Sequence, residues 1–254
     1  GHSATVRSMQ FLDGSSSLAS LAADETLHIW DVRSGHMIQT IQLQGMRSLR
    51  LACHSGRIVV GSSDGMIDLW DVDTGSLLNR WRGHNDPITN LVFTPDGTGL
   101  VSSAWTRTLD IWTVTATGHR IKNTLVGHTA KVRGVDISQD GRSLVSLSFD
   151  KTLRTWNIVT GSPVQTSRSS CIHSVNIPAL IRMAPDGRSV AAGFDNEVVK
   201  LWDTETGRLL RRFKAKDEVK SIEFMPDSTG ILVGDDSGKI RLLDTTRGYT
   251  RHSV

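Results

Sequence analysis

Residues 127–165 read GHTAKVRGVDISQDGRSLVSLSFDKTLRTWNIVTGSPVQ. Four short runs suited to strands follow one another here: Val132 to Ile137, Ser143 to Ser148, Thr152 to Ile158 and Pro163 to Gln165. They are rich in β-branched residues and alternate apolar with polar side chains, the period of two that a strand imposes. Gln139-Asp140-Gly141 and Thr160-Gly161 separate them, with Gly supplying the positive φ that tight turns require. A four-stranded sheet this small cannot bury its own faces, so it needs neighbours of the same kind.

The neighbours are present. Trp156 has counterparts at Trp30, Trp70, Trp112 and Trp202, at successive intervals of 40, 42, 44 and 46 residues, and Leu243 takes the next place 41 further on. An alternating stretch precedes each one, as in Leu27-His28-Ile29-Trp30, Ile67-Asp68-Leu69-Trp70 and Val199-Lys200-Leu201-Trp202, and reads as a half-buried strand. The turns recur at fixed offsets as well, at Pro95-Asp96-Gly97, Pro185-Asp186-Gly187, Thr74-Gly75 and Thr206-Gly207. Six units result, approximately 1–42, 43–82, 83–126, 127–166, 167–214 and 215–254, and the expected fold is all-β with four strands per unit in a single domain.

Gly1-His2, Gly83-His84 and Gly127-His128 open units, and Trp30-Asp31, Trp70-Asp71 and Trp202-Asp203 close third strands. By these residues the chain resembles the WD-repeat (WD40) β-propellers over essentially all of its 254 residues. The resemblance implies six four-stranded blades, forming either a closed ring or part of a seven-bladed one. In a ring of six, the segment from Thr250 to Val254 would lie beside the first strands at Thr5 to Phe11.

Composition excludes several other classes. With 38% hydrophobic and 22% charged residues the chain is globular rather than disordered. Lys and Arg number 29 against 26 Asp and Glu, so the net charge of +3 is a small excess and nucleic acid is not an expected partner. No apolar run approaches the ~18 residues needed to span a bilayer, so a membrane is not expected either. Two cysteines, Cys53 and Cys171, are too few for a disulfide framework and point to a reducing, intracellular setting, cytoplasm or nucleus. The chain starts without Met and partway through the pattern, as a segment of a longer protein would.

Two constellations look catalytic at first sight. His2, Ser20, Asp24 and Trp30 recur at the same offsets as His128, Ser146, Asp150 and Trp156. In an antiparallel blade the loop entering the first strand and the loop between the second and third lie at one edge, so His and Asp meet there. A chain from Asp through His to Ser and the indole N–H would satisfy groups that are costly to leave unpaired. The family resemblance implies such a structural tetrad. A catalytic triad is expected once, beside a pocket, whereas this set occurs twice and has a partial third copy at His84, Ser102 and Trp112, where Thr106 stands in the acidic place. Units 2 and 6 lack Gly-His, and in unit 5 His173 is out of step while Asp195 or Asn196 competes for the acidic place.

No other enzyme chemistry emerges. Cys53-His54 and Cys171-Ile172-His173 have no third and fourth ligand at zinc spacing, turns such as Asp64-Gly65 lack the alternating oxygens of a calcium loop, and there is no phosphate loop. The expectation is therefore no catalytic residue, no metal and no cofactor.

Partner binding is the remaining class. The loops at the His and Asp edge come from every blade and surround the central channel, where proteins or peptides would dock. Just before the acidic place stand Trp105 and Phe149 in units 3 and 4, a choice of residue that suits solvent-facing interface anchors. Asn85, Pro87, Thr129, Lys131, Lys216 and Glu218 join them by position. The basic run Arg208, Arg211, Arg212, Lys214 and Lys216 falls mostly on an outer strand and reads as a solvated rim.

The expected function is thus a non-catalytic scaffold on which a multiprotein complex assembles. Two narrower readings stand beside it. Trp30-Asp31-Val32-Arg33 is similar to the W-D-x-R pattern of substrate receptors of cullin-type ubiquitin ligases. Units 1 to 4, including Gly45-Met46-Arg47-Ser48-Leu49 without Gly-His and the turn Gly161-Ser162-Pro163, resemble fungal Tup-type, Groucho-like transcriptional co-repressors.

Overall fold

The computed structural model describes residues 1–12, 16–43, 45, 50–115, 117–168, 180–194, 197–248 and 250–253. Every regular element among them is a β-strand. The strands gather into two compact units, residues 1–126 and 127–254, each with three four-stranded antiparallel sheets. In the first unit β1 (Val6–Phe11), β2 (Ser17–Ala22), β3 (Thr26–Asp31) and β4 (Met37–Gln42) make one sheet. The next holds β5 (Arg50–His54), β6 (Arg57–Gly61), β7 (Met66–Asp71) and β8 (Leu77–Arg82), and the third β9 (Ile88–Phe93), β10 (Gly99–Ala104), β11 (Leu109–Thr115) and β12 (Gly118–Leu125).

In the second unit β13 (Val132–Ile137), β14 (Ser143–Ser148), β15 (Thr152–Asn157) and β16 (Pro163–Arg168) form the fourth sheet. The fifth consists of β17 (Leu180–Met183), β18 (Ser189–Phe194), β19 (Val198–Asp203) and β20 (Leu209–Lys214). The sixth consists of β21 (Val219–Phe224), β22 (Gly230–Asp235), β23 (Ile240–Asp244) and β24 (Thr250–Ser253), so the last segment pairs with β23. β16 runs past the Gln165 read from sequence, because Ser167 and Arg168 still pair with Leu153 and Thr152; an outer strand needs no apolar alternation to hold its ladder.

The Trp-Asp dipeptide has a local cause. The Asp carboxylate accepts bonds from the turn that follows it: Asp71 Oδ1 from Thr74 N at 2.8 Å and Thr74 Oγ1 at 2.7 Å, and Asp203 Oδ1 from Thr206 at 2.7 Å and 2.7 Å. The Gly after each Thr takes positive φ, 66° at Gly75 and 67° at Gly207, so the turn closes without strain.

The core lies between consecutive sheets within each unit. One cluster joins Leu21, Leu27 and Ile29 to Leu51, Ile58 and Trp70, and another joins Leu147 and Leu153 to Ile181, Phe194 and Trp202. This packing corrects one expectation: β3, β7, β11, β19 and β23 are not half-buried at their polar positions, whereas β15 keeps Arg154 partly exposed. His28, Asp68, Asp110, Lys200 and Arg241, the polar members of their alternation, are buried too. Each of these five strands sits inside its sheet with that polar residue covered. A polar residue there must find its partner on a neighbouring strand, as Asp68 does when Arg80 of β8 grips it with Nε at 2.7 Å and Nη2 at 2.6 Å.

Candidate functional site

The fourth sheet brings its four expected residues together. His128 Nδ1 lies 2.8 Å from Asp150 Oδ2, His128 Nε2 lies 2.7 Å from Ser146 Oγ, and Trp156 Nε1 donates to Ser146 Oγ at 2.8 Å. Burial lowers the His128 pKa against the opposing pull of Asp150, so the imidazole is neutral: Nδ1–H donates to Asp150 and Nε2 accepts the Ser146 hydroxyl. Burial also pushes Asp150 up, but bonds from Thr152, Thr129 N–H and His128 outweigh it and hold the carboxyl below its usual range. The Gly of Gly-His is needed because a Cβ on Gly127 would come within 3.0 Å of the Trp156 ring and 2.8 Å of Arg154.

The first sheet repeats the arrangement with one change. Ser20 Oγ receives Trp30 Nε1 at 2.7 Å and meets His2 Nε2 at 2.7 Å, while His2 Nδ1 bonds Thr26 Oγ1 at 2.9 Å and stands 3.4 Å from Asp24. His2 also stacks on His28, with ring centroids 3.9 Å apart.

In the third sheet His84 Nε2 meets Ser102 Oγ at 2.6 Å and Trp112 Nε1 donates to it at 2.8 Å. The acid that Thr106 cannot provide comes from β11, where Asp110 Oδ2 lies 3.6 Å from His84 Nδ1. Sequence reading missed Asp110 by looking only in the loop; an Asp two residues before the Trp, in a unit without the loop acid, was the available signal.

The second and sixth sheets lack the set. Val60 replaces the Ser, and the buried Trp70 indole N–H is left without a partner. In the sixth, Arg241 Nη1 pairs with Asp235 at 2.8 Å in the interior. The unit 5 positions Cys171, His173, Asp195 and Asn196 lie outside the described residues.

The docking candidates fall into backbone-locked pairs. The residue before the acidic place donates its N–H to the carbonyl of the residue entering the first strand: Trp105 to Pro87 at 3.1 Å, Phe149 to Lys131 at 3.0 Å and Asp236 to Glu218 at 2.9 Å. Trp105 is 46% exposed, with Asn85 exposed and Pro87 half-buried on the entry it bonds. Phe149 does not face solvent as expected. It packs half-buried on the core cluster of the fourth and fifth sheets, with the Arg133 guanidinium 5.4 Å from its ring centre. Thr129, Lys131 and Lys216 are exposed, and Glu218 is ion-paired to Lys220 at 2.9 Å. Among the described residues no three His, Cys, Asp or Glu stand together as metal ligands.

A model of the WD domain, G-beta repeat, matches residues 1–31, 75–113, 119–157 and 207–244, together more than half of the chain. The chain belongs to the WD40-repeat family. Its fold is accordingly a WD-repeat β-propeller fold with six four-stranded blades. Among curated WD40 relatives, it is 48% identical over 62 residues to the periodic tryptophan protein 2 homolog of Neurospora crassa, covering 24% of this chain and 7% of that protein. It is 29% identical over 114 residues to autophagy-related protein 16 of Arabidopsis thaliana, 41% of this chain and 22% of that protein. Against pre-mRNA-splicing factor cwf17 of Schizosaccharomyces pombe it is 32% identical over 92 residues, 35% of this chain and 27% of that protein. The matched stretches thus span less than a third of each relative. No described helix is long and apolar enough to cross a membrane. WD40 propellers commonly act as platforms for other proteins, and this chain shares their architecture.

Proposed function

We propose that this chain is a non-catalytic platform that assembles other proteins on the loops carrying the His and Asp residues, with Trp105 as the principal anchor. One observation carries the reading: a tryptophan nearly half exposed on a loop whose backbone is pinned to Pro87. Exposed aromatics fixed on rigid loops supply large contact area at small entropic cost, and Trp is over-represented among residues that dominate binding. Asn85 and Pro87 frame that anchor; on the corresponding loops of the other unit, taken by itself, Thr129, Lys131, Lys216 and Glu218 are candidates by position, and Phe149 by its half-buried ring alone. The tetrads hold the loops. Ser146 is fully buried with its hydroxyl held between His128 and Trp156, which suits a structural brace and leaves no approach for a substrate. The relatives' names point to splicing and to autophagy, which fits a shared scaffold with different partners. An intracellular site, cytoplasm or nucleus, belongs to this reading.

The test is affinity capture from a native lysate with the unaltered chain, Trp105→Ala and Arg33→Ala, after confirming equal melting temperatures. Trp105→Ala is expected to lose specific partners. Capture of an identical set by Trp105→Ala sinks the anchor assignment, and loss of a cullin adaptor from Arg33→Ala alone would favour the ubiquitin-ligase receptor instead. A co-repressor subunit would retain transcriptional regulators in the Trp105-dependent set.

A further inference from the structure

The outermost strands of the six sheets differ in one respect. Among the outer strands whose side chains are described throughout, β8 carries Arg80 and Arg82, β12 Arg120 and Lys122, and β20 Arg211, Arg212 and Lys214. β4 reads Met37-Ile38-Gln39-Thr40-Ile41-Gln42, without charge, Pro or Gly. An outer strand exposes a row of unpaired backbone N–H and C=O groups, and Lys or Arg on it discourages another strand from adding there. Of these four edges three are defended in this way and β4 is not.

The side chains of β4 divide cleanly. Ile41 is buried in the core, and Gln39 reaches across to the β7–β8 turn, where the absent Cβ of Gly75 leaves room for its amide. Ile38 is 58% exposed, Met37 47%, and Thr40 and Gln42 face solvent beside them. The strand therefore offers a free backbone edge flanked by uncharged side chains of high β propensity.

We propose that β4 is a self-association edge, at which two copies of this chain pair antiparallel and join two four-stranded sheets into one of eight. The charge pattern selects a second copy as the occupant. A two-fold axis perpendicular to the sheet keeps its faces continuous, so residues of equal parity meet. Centred on Thr40, it sets Thr40 opposite its own mate and Ile38 opposite Gln42, pairs without repulsion and, for threonine, favourable. Centred on the matching residue, the same operation sets Arg80 of β8 and Arg212 of β20 each against its own mate, and centred on Ile121 of β12 it sets Arg120 against Lys122. Among the four, β4 alone has no register that opposes two like charges. This inference is independent of the loop-face reading, since no residue is shared.

The experiment is sedimentation velocity of the full chain across a concentration series, alongside Thr40→Lys and, as a control on a defended edge, Ile121→Lys. Reversible dimerisation is expected, with Thr40→Lys weakening it by at least about tenfold at an unchanged melting temperature and Ile121→Lys leaving it unaltered. Thr40→Cys adds a readout that does not depend on the lysine variant folding: mild oxidation should give a covalent dimer, and Ile121→Cys should not. A chain monomeric at every concentration overturns the proposal and leaves the edge to an extended strand of another protein. A dimer that Thr40→Lys does not weaken, or that Thr40→Cys does not cross-link, overturns it equally.

Discussion

At the residue scale, the six copies of one blade act as internal controls for single hydrogen bonds. Trp156 and Trp70 occupy equivalent places, both buried, yet Trp156 Nε1 donates to Ser146 whereas Trp70 Nε1 has no partner because Val60 stands where the serine would be. Replacing either by Phe removes a similar volume. Trp156→Phe also breaks a bond and strands a hydroxyl, while Trp70→Phe removes an unsatisfied donor, so the two should differ by about 2 kcal/mol, with Trp156→Phe the less stable. Urea unfolding of the two variants measures this, and equal losses would mean that the indole bond contributes nothing. The tetrad residues were legible in sequence because their offsets from the Trp are fixed by strand length and turn type. Asp110 and Phe149 were not, since burial depends on what a neighbouring sheet brings up and not on the local run.

At the element scale, the third strand is where local reading and packing part company. A period of two distinguishes two faces of a strand, but it does not say that the polar face meets water. In β7 it meets Arg80 instead: the Asp68 side chain is 0% exposed and its two oxygens take a bidentate grip from a guanidinium that is itself 41% exposed. Arg80→Ala leaves a buried carboxylate alone and should cost about 2–3 kcal/mol, less than for a fully interior pair because water reaches the arginine side. Arg80→Lys should recover little, since an ammonium cannot reproduce the planar fork, whereas adding Asp68→Asn to Arg80→Ala should restore most of the loss. A double variant no more stable than Arg80→Ala alone would show that the carboxylate is not the source of the penalty. The ends of β13, β14 and β15, by contrast, were read within a residue, because their tight turns are closed by bonds among residues close in sequence, whereas the outer β16 ran three residues past its expected end.

At the scale of the whole molecule, these buried groups set how stability depends on pH. His84 and His128 have pKa values lowered chiefly by burial, so the fold holds them neutral; their contribution is complete above their ordinary value of about 6.5 and is lost as pH falls below it. Asp150, held below its usual range by its hydrogen bonds, contributes above about pH 4 and is lost only as pH falls further. Asp136 of β13 runs the other way. Burial among β13, β17 and β21 pushes its carboxyl up to about 6, against the pull of Arg182 and of the Met183 and Ile137 N–H groups, although the side chain keeps some contact with solvent. A group whose pKa is raised on folding stabilises most at low pH and loses that contribution as pH rises from about 4 to about 6. On acidification Asp136 therefore gains where the histidines lose, and it flattens the profile in that window. Asp136→Asn cannot take up a proton there, so its stability should fall more steeply between pH 6.5 and 4 than that of the unaltered chain, while the further loss below pH 4 stays in both. Urea midpoints at pH 7.5, 5.5 and 4 measure the slopes, and parallel profiles would mean that Asp136 ionises in the folded chain as freely as in the unfolded one.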